Sequence, residues 1–255
     1  MHFTQWLAAA ASLAVSVDAH GIVDSIQGGG QMWNGNPPWQ NGMFFSPNWH
    51  AENNDYGYVA DVTHINMTCH RNGTAGTQYI PLAAGSSVDL KWSGSWPHPG
   101  PVLSYMARCP GSCLDAKPTD LRFFKIAHAG LLKNPNTSST DLYWAANAVR
   151  DNDNIATVRI PSNIKAGDYV LRHEIIALHS AFNVSGAQFY PQCVNLRVSG
   201  GGDLQPPGVL ATKLYKQKAP GILINIYWPP LTGYKIPGPK IAAGLQFTRK
   251  KLFKS

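Results

Sequence analysis

The stretch Tyr169-Val170-Leu171-Arg172-His173-Glu174-Ile175-Ile176 says most about the fold of this chain. It is rich in β-branched, aliphatic and aromatic residues, which favour strands. It follows Lys165-Ala166-Gly167-Asp168, in which glycine and aspartate are typical turn residues. The two signals agree, and they predict a strand that begins directly after a turn.

Similar short segments elsewhere in the chain predict further strands. Each is rich in Val, Ile, Leu, Tyr or Trp and is bounded by Gly, Pro, Asn or Ser. No apolar stripe of useful length with a helical period competes with them. Short strands joined by long loops predict an all-β fold, an antiparallel β-sandwich of the immunoglobulin or fibronectin type with long loops. The segments are Ser87–Trp92, 102–107, 156–160 and 193–198.

Composition excludes several classes of protein. The 255 residues suffice for one sizeable core, and 14% charged residues with 24 Gly and 19 Pro are typical of a loop-rich β protein. After the N-terminus no apolar run reaches the roughly 18–20 residues that cross a membrane. The net charge is +7, but apart from the basic tail at 249–255 no basic run or recognition motif supports a nucleic-acid partner. We expect a monomer without a membrane segment.

Residues 1–19 resemble a secretory signal. An apolar stretch at 6–17 precedes Val17-Asp18-Ala19, which places small residues at −3 and −1 of a cut before His20. The stretch lacks an N-terminal Lys or Arg, so a buried N-terminal helix is the alternative. The prediction is a secreted, extracellular protein with a signal at 1–19, one main domain at 20–245 and a basic tail at 246–255.

Sequons and cysteines agree with secretion. The even cysteine count, four, suits an oxidising compartment. Cys109 and Cys113 are close enough in sequence to form a disulfide across one loop. Cys69 and Cys193 would then join distant parts of the chain. Other pairings and a zinc site are the alternatives. Zinc is disfavoured because no second Cys/His pair follows at finger spacing. The four predicted glycosylation sites are Asn66, Asn72, Asn136 and Asn183.

A long segment at 28–58 is predicted to be a loop. Loops of this length in a compact domain are usually functional or disordered, and the aromatic content favours a function. Its aromatic residues include Trp33, Trp39, Phe44, Phe45 and Trp49.

His20 and His98 are candidate metal ligands. If the signal is removed before His20, this residue offers an α-amine and an imidazole Nδ1 that can close a chelate ring on a metal. One more imidazole would complete three nitrogens, a set that suits Cu(II). His98 stands in His98-Pro99-Gly100-Pro101-Val102, where proline fixes φ and glycine permits a close turn. An ordinary loop histidine is the alternative for His98.

Two further motifs carry a family resemblance. They are Leu171-Arg172-His173-Glu174-Ile175-Ile176-Ala177-Leu178-His179-Ser180-Ala181 and Gly186-Ala187-Gln188-Phe189-Tyr190-Pro191-Gln192-Cys193. With the His98 motif, they resemble the fungal lytic polysaccharide monooxygenases of auxiliary activity family 9, formerly glycoside hydrolase family 61. The resemblance covers nearly all of the chain after residue 19, most clearly at 98–107, 121–126, 167–196 and 220–239.

The resemblance implies a site and a reaction. It implies one copper ion per chain, bound by His20 and His98 with Tyr190 as a weak axial ligand, while Gln188 and His179 hold the oxygen species. In strand geometry residues 188 and 190 share a face, so both can point at one metal. An external electron donor (a secreted dehydrogenase or a small-molecule reductant) and O2 or H2O2 would support hydroxylation at C1 or C4 of a β-1,4-glucan.

The expected partner is therefore cellulose or a related hemicellulose. The resemblance makes Tyr234 the first candidate for a sugar-stacking platform, and Trp39 and Phe45 are weaker candidates from the 28–58 segment. Aromatic rings suit this task because they can stack on sugar rings.

Three other functions are alternatives to the oxidative enzyme that the resemblance implies. A non-catalytic carbohydrate- or copper-binding protein could use the same fold. A glycoside hydrolase needs two paired carboxylates, and no paired acidic motif is present. His173-Glu174 followed by His179 resembles a zinc-protease motif, but its spacing is wrong and the segment is predicted to be a strand. We expect Arg172, His173 and Glu174 to be supporting residues.

Overall fold

A computed structural model describes residues 21–39, 45–94, 96, 98–133 and 142–248 of the protein. Within these ranges the chain is mostly β-structure, with one short α-helix and three 3-10 turns at Ile65–Met67, Cys113–Asp115 and Ala211–Lys213. The helix is α1 (Ala145–Asp151). The strands are β1 (Val23–Gly28), β2 (Gln31–Asn34), β3 (Ile80–Ala83), β4 (Ser87–Trp92), β5 (Val102–Arg108), β6 (Arg122–Ala129), β7 (Leu131–Lys133), β8 (Tyr143–Trp144), β9 (Ile155–Arg159), β10 (Gly167–Ala177), β11 (Gln188–Ser199) and β12 (Val209–Leu210).

Two sheets pack face to face. The first has the order β2-β1-β4-β9, and the second has the order β12-β6-β5-β10-β11-β3. A third, two-stranded sheet is formed by β7 and β8. Neighbouring strands are antiparallel, except for β11 and β3, which run parallel. The prediction of an all-β, immunoglobulin-like sandwich is confirmed.

Strand β10 lies in the middle of the larger sheet. It pairs with β5 on one side and with β11 on the other. Leu171 and Ile175 pack into the core between the sheets, whereas Val170 and Ile176 join a second apolar cluster on the opposite face. Loops cover that opposite face, so β10 is buried on both sides. This explains why apolar residues of the segment point to both faces of the sheet, and why its polar residues Arg172, His173 and Glu174 are buried as well.

The predicted strands are present, with one clear change of boundary. The segment Ser87–Trp92 is β4, and the predicted strand at 169–176 lies within β10. The strand predicted at 193–198 begins five residues earlier, at Gln188. The sequence pattern did not predict this start, because three residues interrupt the apolar run although they are buried. These residues are Gln188, Pro191 and Gln192.

The prediction of one long loop at 28–58 is wrong in its first part. Gly29 and Gly30, with φ of 61° and 83°, make a tight turn between β1 and β2, which pair as a hairpin. Further on, Asn48 and Val59 form β-bridges with β11. Phe44 lies outside the described residues. The segment is thus a hairpin followed by a stretch fastened to the larger sheet.

Both disulfides form in the structure. One joins Cys69 to Cys193 and the other joins Cys109 to Cys113. The first fastens the loop around the 3-10 turn at Ile65–Met67 to strand β11. No described helix has the length and apolar content to span a bilayer.

Three of the four predicted glycosylation sites lie in the described ranges. Asn72 and Asn183 are exposed, and Asn66 is half-buried. Asn136 lies outside the described residues.

Candidate functional site

His98 is held by a short segment that is fastened on two sides. The carbonyls of Pro99 and Pro101 accept hydrogen bonds from Leu178 and Ile176 at the end of β10. The carbonyl of Gly100 accepts one from Ala146 in α1. These bonds fix the backbone of residues 99–101 immediately after the histidine.

Gly100 shows why this segment needs glycine. A Cβ atom at this position would lie 1.8 Å from the carbonyl oxygen of Ile176, well inside van der Waals contact. The close approach brings the His98 segment against the carboxyl end of β10. The expected role of glycine in a close turn is thus visible in the structure.

His179 follows two residues after the end of β10 and stacks on His98. The two imidazole rings lie nearly parallel, at 18°, with their centroids 3.9 Å apart. A turn after β10 carries His179, in which the Ala181 amide donates to the Leu178 carbonyl. Both histidines are half-buried, so the stacked pair lies where the protein meets solvent.

Gln188 and Tyr190 complete the cluster from the neighbouring strand. The antiparallel register places Gln188 opposite Ala177 and Tyr190 opposite Ile175. The Tyr190 hydroxyl donates to Oε1 of Gln188 over 2.8 Å. The two side chains therefore share a face, as strand geometry predicts, at the same end of the sheet as His179.

Burial controls the protonation of Tyr190. The ring is fully buried, and desolvation together with the nearby Tyr58 raises the pKa of its hydroxyl well above the ordinary value. A protonated hydroxyl is what the hydrogen bond to Gln188 requires, because the amide oxygen can only accept.

Trp96 is a wall of the site that sequence reasoning missed. Its buried ring meets Tyr190 edge-on with centroids 4.8 Å apart and meets His98 edge-on at 6.2 Å. Trp92 lies behind it at 5.4 Å. Trp96 stands two residues before His98, and that closeness to a candidate ligand is the signal that could have found it.

The described chain begins beside this wall. A Cβ atom at Gly21 would lie 2.8 Å from the Ser93 carbonyl oxygen and 3.5 Å from the Trp96 ring. The Ile22 amide donates to Oγ of Ser93, and the Ser93 amide donates to the Ile22 carbonyl. His20 lies outside the described residues.

The donor set is compatible with a metal that prefers imidazole. His98 offers an imidazole at the solvent boundary, Tyr190 offers a phenol, and both rings contact Trp96. Imidazole is a ligand that copper, zinc, iron and nickel all accept. Across the described ranges, no three His, Cys, Asp or Glu side chains gather into a metal cluster. The described residues thus contain one of the expected imidazole ligands, His98, and the Trp96 ring that it contacts also lies close to Gly21, where the described chain starts.

Comparison with known proteins assigns the family. The model of auxiliary activity family 9, formerly glycoside hydrolase family 61, matches residues 20–234. The chain belongs to auxiliary activity family 9. The resemblance drawn from the three motifs is confirmed.

Relatives within the family cover almost the whole chain. The chain is 45% identical to the family 9 lytic polysaccharide monooxygenase F of Malbranchea cinnamomea, over 91% of this chain and 95% of that protein. It is 41% identical to lytic polysaccharide monooxygenase cel61A of Hypocrea jecorina, over 94% of this chain and 70% of that protein. Among solved structures, the extended catalytic domain of H. jecorina LPMO9A matches with a TM-score of 0.83, 40% identity, and coverage of 90% of this chain and 94% of that one. Membership of family 9 supports an oxidative enzyme that cleaves polysaccharide.

Residues His173, Glu174 and His179 of the Leu171–Ala181 motif lie in different environments. Arg172 and Glu174 form a buried ion pair on the outer face of the larger sheet, and Tyr215 donates a hydrogen bond to Glu174. His173 points into the core between the sheets, where its ring lies 5.8 Å from that of Trp92. Only His179 reaches the cluster.

The aromatic candidates for the substrate surface differ in exposure. Tyr234 is half-buried, donates its hydroxyl to the Gly221 carbonyl over 2.7 Å and packs edge-on against Trp144. Trp39 and Phe45 are exposed, and Trp39 lies 5.3 Å from the Tyr56 ring. Tyr234 is therefore firmly positioned by the fold.

Sequence reasoning also missed four exposed apolar side chains on the loop that carries His179 and on a second loop bonded to it. They lie on loops 178–187 and 222–234, which are joined by a hydrogen bond from the Ile224 amide to the Ala181 carbonyl. Trp228 is 72% exposed, and its amide donates to Asn225, which fixes the loop locally. The four exposed side chains are Phe182, Val184, Tyr227 and Trp228.

Proposed function

We propose that this protein is a secreted copper-dependent monooxygenase that cleaves β-1,4-glucan chains, cellulose first, by oxidation at C1 or C4. The observation that carries the proposal is the cluster at one end of the larger sheet. There the His98 ring stacks on His179 at 3.9 Å, and Tyr190 donates to Gln188 at 2.8 Å. Family 9 membership agrees with it.

The copper ligands would be His20, His98 and Tyr190. Removal of residues 1–19 would give His20 a free α-amine next to its imidazole, and His20 directly precedes Gly21, which packs beside Trp96. Two nitrogens from His20 and one from His98 form a set that copper prefers, with the Tyr190 hydroxyl as a weaker oxygen donor. When bound, copper supplies the one-electron chemistry with O2 or H2O2 that attack on an unactivated C–H bond needs.

The remaining side chains of the cluster have positioning tasks. The Gln188 amide fixes the direction of the Tyr190 hydroxyl, and Trp96 packs edge-on against both Tyr190 and His98. His179 lies against His98 at the solvent boundary, where it can donate a hydrogen bond or transfer a proton to an oxygen species. Hydrogen bonds beside a metal site orient its ligands and tune its reactivity.

The substrate would lie across the surface next to this cluster. We place Tyr234 and the exposed Trp228 on that surface, because aromatic rings offer sugars a flat apolar face. Trp39 and Phe45 stay as weaker candidates. Secretion is supported by the signal-like residues 1–19 and by the two disulfides, which are typical of oxidising compartments.

Product analysis on cellulose tests the function. With copper and a reductant, the secreted protein should release oligosaccharides oxidised at C1 or C4. Gln188→Leu should lower this rate roughly 10–100-fold, the usual cost of losing a partner beside a metal site. Gln27→Leu, at an exposed position on β1, is the matched control.

Two outcomes would overturn the proposal. Plain reducing-end products without oxidation would indicate a hydrolase. Tight cellulose binding without any products, unchanged in Gln188→Leu, would indicate a non-catalytic binding protein.

A further inference from the structure

A pocket of about 220 Å³ lies at the end of the larger sheet where β10 begins. Strands β5, β6 and β10 each contribute side chains to it, and Gln205, Pro206 and Gly208, just before β12, also line it. The residues of the proposed copper site lie beyond the other end of β10, roughly 25 Å away along the strand. The proposed function therefore does not use this pocket.

Two arginines line the pocket from neighbouring strands. Met106 pairs with Phe124 in the antiparallel register of β5 and β6. Two residues further toward this end of the sheet, the same register places Arg108 opposite Arg122. Side chains two residues apart on a strand share a face, so both arginines lie on the face of Phe124, which also lines the pocket. Arginine stays protonated in proteins, so the pocket carries two positive charges.

These two charges lack an acidic partner in the part of the chain that the structure describes. Neither arginine forms an ion pair with a described carboxylate, and the described lining contains no Asp or Glu side chain. The neighbouring Asp168 instead binds Arg197 with both carboxylate oxygens, each at 2.9 Å. Like charges on opposite residues of a sheet are destabilising, so an anion bound between the two arginines would be favoured.

Arg108 is held in place before any ligand binds. Its Nη1 donates to the side-chain oxygen of Gln205, which lines the same pocket. Its guanidinium also packs on Gly167, where a Cβ atom would lie 3.2 Å from both Nε and Nη2. A guanidinium has five N–H donors in a fixed fork, so donors remain for a ligand after the bond to Gln205. A charged group that is already positioned loses less entropy when it binds.

The rest of the lining narrows the class of anion. Phe124, Tyr169 and Pro206 give the pocket an apolar surface beside the arginines. Arginine pairs with a carboxylate through two parallel hydrogen bonds. An apolar cavity of roughly 150 Å³ can take up benzene, so this pocket has room for one ring that carries a carboxylate. Inorganic phosphate would leave the apolar surface uncovered.

We propose that this pocket binds a small carboxylate carried on a single ring, of the benzoate class. The carboxylate lies between Arg108 and Arg122, and the ring lies against Phe124 and Pro206. Binding here does not depend on copper, so its test is independent of the proposed function.

Titration with benzoate tests the proposal. Amide resonances of the secreted, copper-free protein are followed by two-dimensional NMR at low salt, because salt screens exposed charges. We expect saturable shifts centred on Arg108 and Gly208, with a Kd of about 1 mM, typical of a ligand this small. Benzamide keeps the ring without the charge, and acetate keeps the charge without the ring. Each should bind at least about 10-fold more weakly than benzoate.

Variants locate the binding. Arg108→Gln and Arg122→Gln should each weaken benzoate binding at least about 10-fold, because each removes one charged donor. Arg159→Gln removes the same charge from β9, outside the pocket, and should leave the affinity unchanged.

Urea unfolding gives a second measurement. Without benzoate, Arg122→Gln should unfold at the same urea concentration as the unaltered protein or at a higher one, because the repulsion between the arginines is gone. Benzoate should raise the midpoint of the unaltered protein and leave that of Arg122→Gln unchanged, since a ligand stabilises only the folded protein that binds it.

Any of four results would refute this site. Benzoate shifts that stay linear with concentration would show that no specific binding occurs. Equal benzoate affinity of Arg122→Gln and the unaltered protein would place the binding elsewhere. Benzamide that binds as tightly as benzoate would show that the charges are not used. Phosphate that binds more tightly than benzoate would contradict the assigned class of ligand.

Discussion

Two polar clusters on neighbouring parts of β10 have opposite characters. In the middle of the strand, Arg172 and Glu174 are fully buried and bind each other at 2.5 Å. At its end, His179 and His98 stack at the solvent boundary. The first cluster satisfies its charges inside the protein, while the second presents its polar groups outward. The strand thus carries a buried ion pair in its middle, while the residues just beyond its end belong to the proposed copper site.

The largest expected effect comes from breaking the buried pair. Glu174→Ala leaves Arg172 charged and without its carboxylate, and should lower the free energy of unfolding by about 3–5 kcal/mol. Guanidinium unfolding measures it. Arg150→Ala, which breaks the exposed pair with Asp151, should cost less than about 1 kcal/mol. Equal costs for the two variants would contradict the contrast between the clusters.

Gly100 connects the site cluster to the same strand. Gly100→Ala places a methyl group against the Ile176 carbonyl and should cost about 1–3 kcal/mol of stability. Because the strain moves the segment next to His98, activity on cellulose should fall as well. Gly111→Ala is the control, since a Cβ atom there meets nothing within 4 Å. A Gly100→Ala protein with full stability and activity would refute the close approach.

Two buried histidines should make the fold acid-sensitive. Burial lowers the pKa of His70 to about 4 and that of His173 to about 3, while unfolded histidine titrates near ~6.5. Between these values the unfolded chain binds more protons, so stability is complete above about pH 6.5 and falls as the pH drops. For one histidine the slope reaches about 1.4 kcal/mol per pH unit.

Removal of His173 checks this slope. Urea unfolding at several acidic pH values measures how the free energy of unfolding falls as the pH drops. In His173→Phe this free energy should fall less steeply, because one buried histidine is gone. Ser104→Ala keeps the histidine, so its free energy of unfolding should fall as steeply as in the unaltered protein. An unchanged slope in His173→Phe would show that the ring is protonated in the folded protein.

The smallest effects belong to the proposed substrate surface. Trp228→Ala should change stability by less than about 0.5 kcal/mol, because the ring is mostly exposed. Cellulose binding should weaken roughly 2–10-fold, the worth of one aromatic contact. Pull-down with cellulose measures it.

Tyr234→Ala should weaken cellulose binding without loss of copper, and it should also cost stability, since it loses the contact with Trp144. Tyr234→Phe keeps the ring and should bind almost normally. Unchanged binding in Tyr234→Ala would remove this residue from the surface.

Much of the fold could be predicted because β4 and β10 consist of strand-forming residues bounded by turn residues, a pattern that is visible within each segment. The start of β11 could not, because Gln188 and Gln192 are polar and their burial depends on partners far away in sequence. The β1–β2 hairpin was readable in principle from Gly29 and Gly30, which can adopt positive φ.

The motifs named four side chains that the structure arranges in two pairs, His98 stacked on His179 and Tyr190 bonded to Gln188, with the Trp96 ring against both His98 and Tyr190. Their roles stay a prediction. Trp96 was not found, because a tryptophan in a loop carries no periodic pattern.

Copper stoichiometry of the secreted protein, with its N-terminus read by mass spectrometry, tests the central claim most directly. We expect a chain that begins at His20 and binds one copper ion, and a His98→Ala variant that stays folded but binds copper far more weakly. His64→Ala, at an exposed position outside the motifs, should bind copper normally. A mature chain that starts at another residue, or copper binding unaffected by His98→Ala, would contradict the proposed copper site.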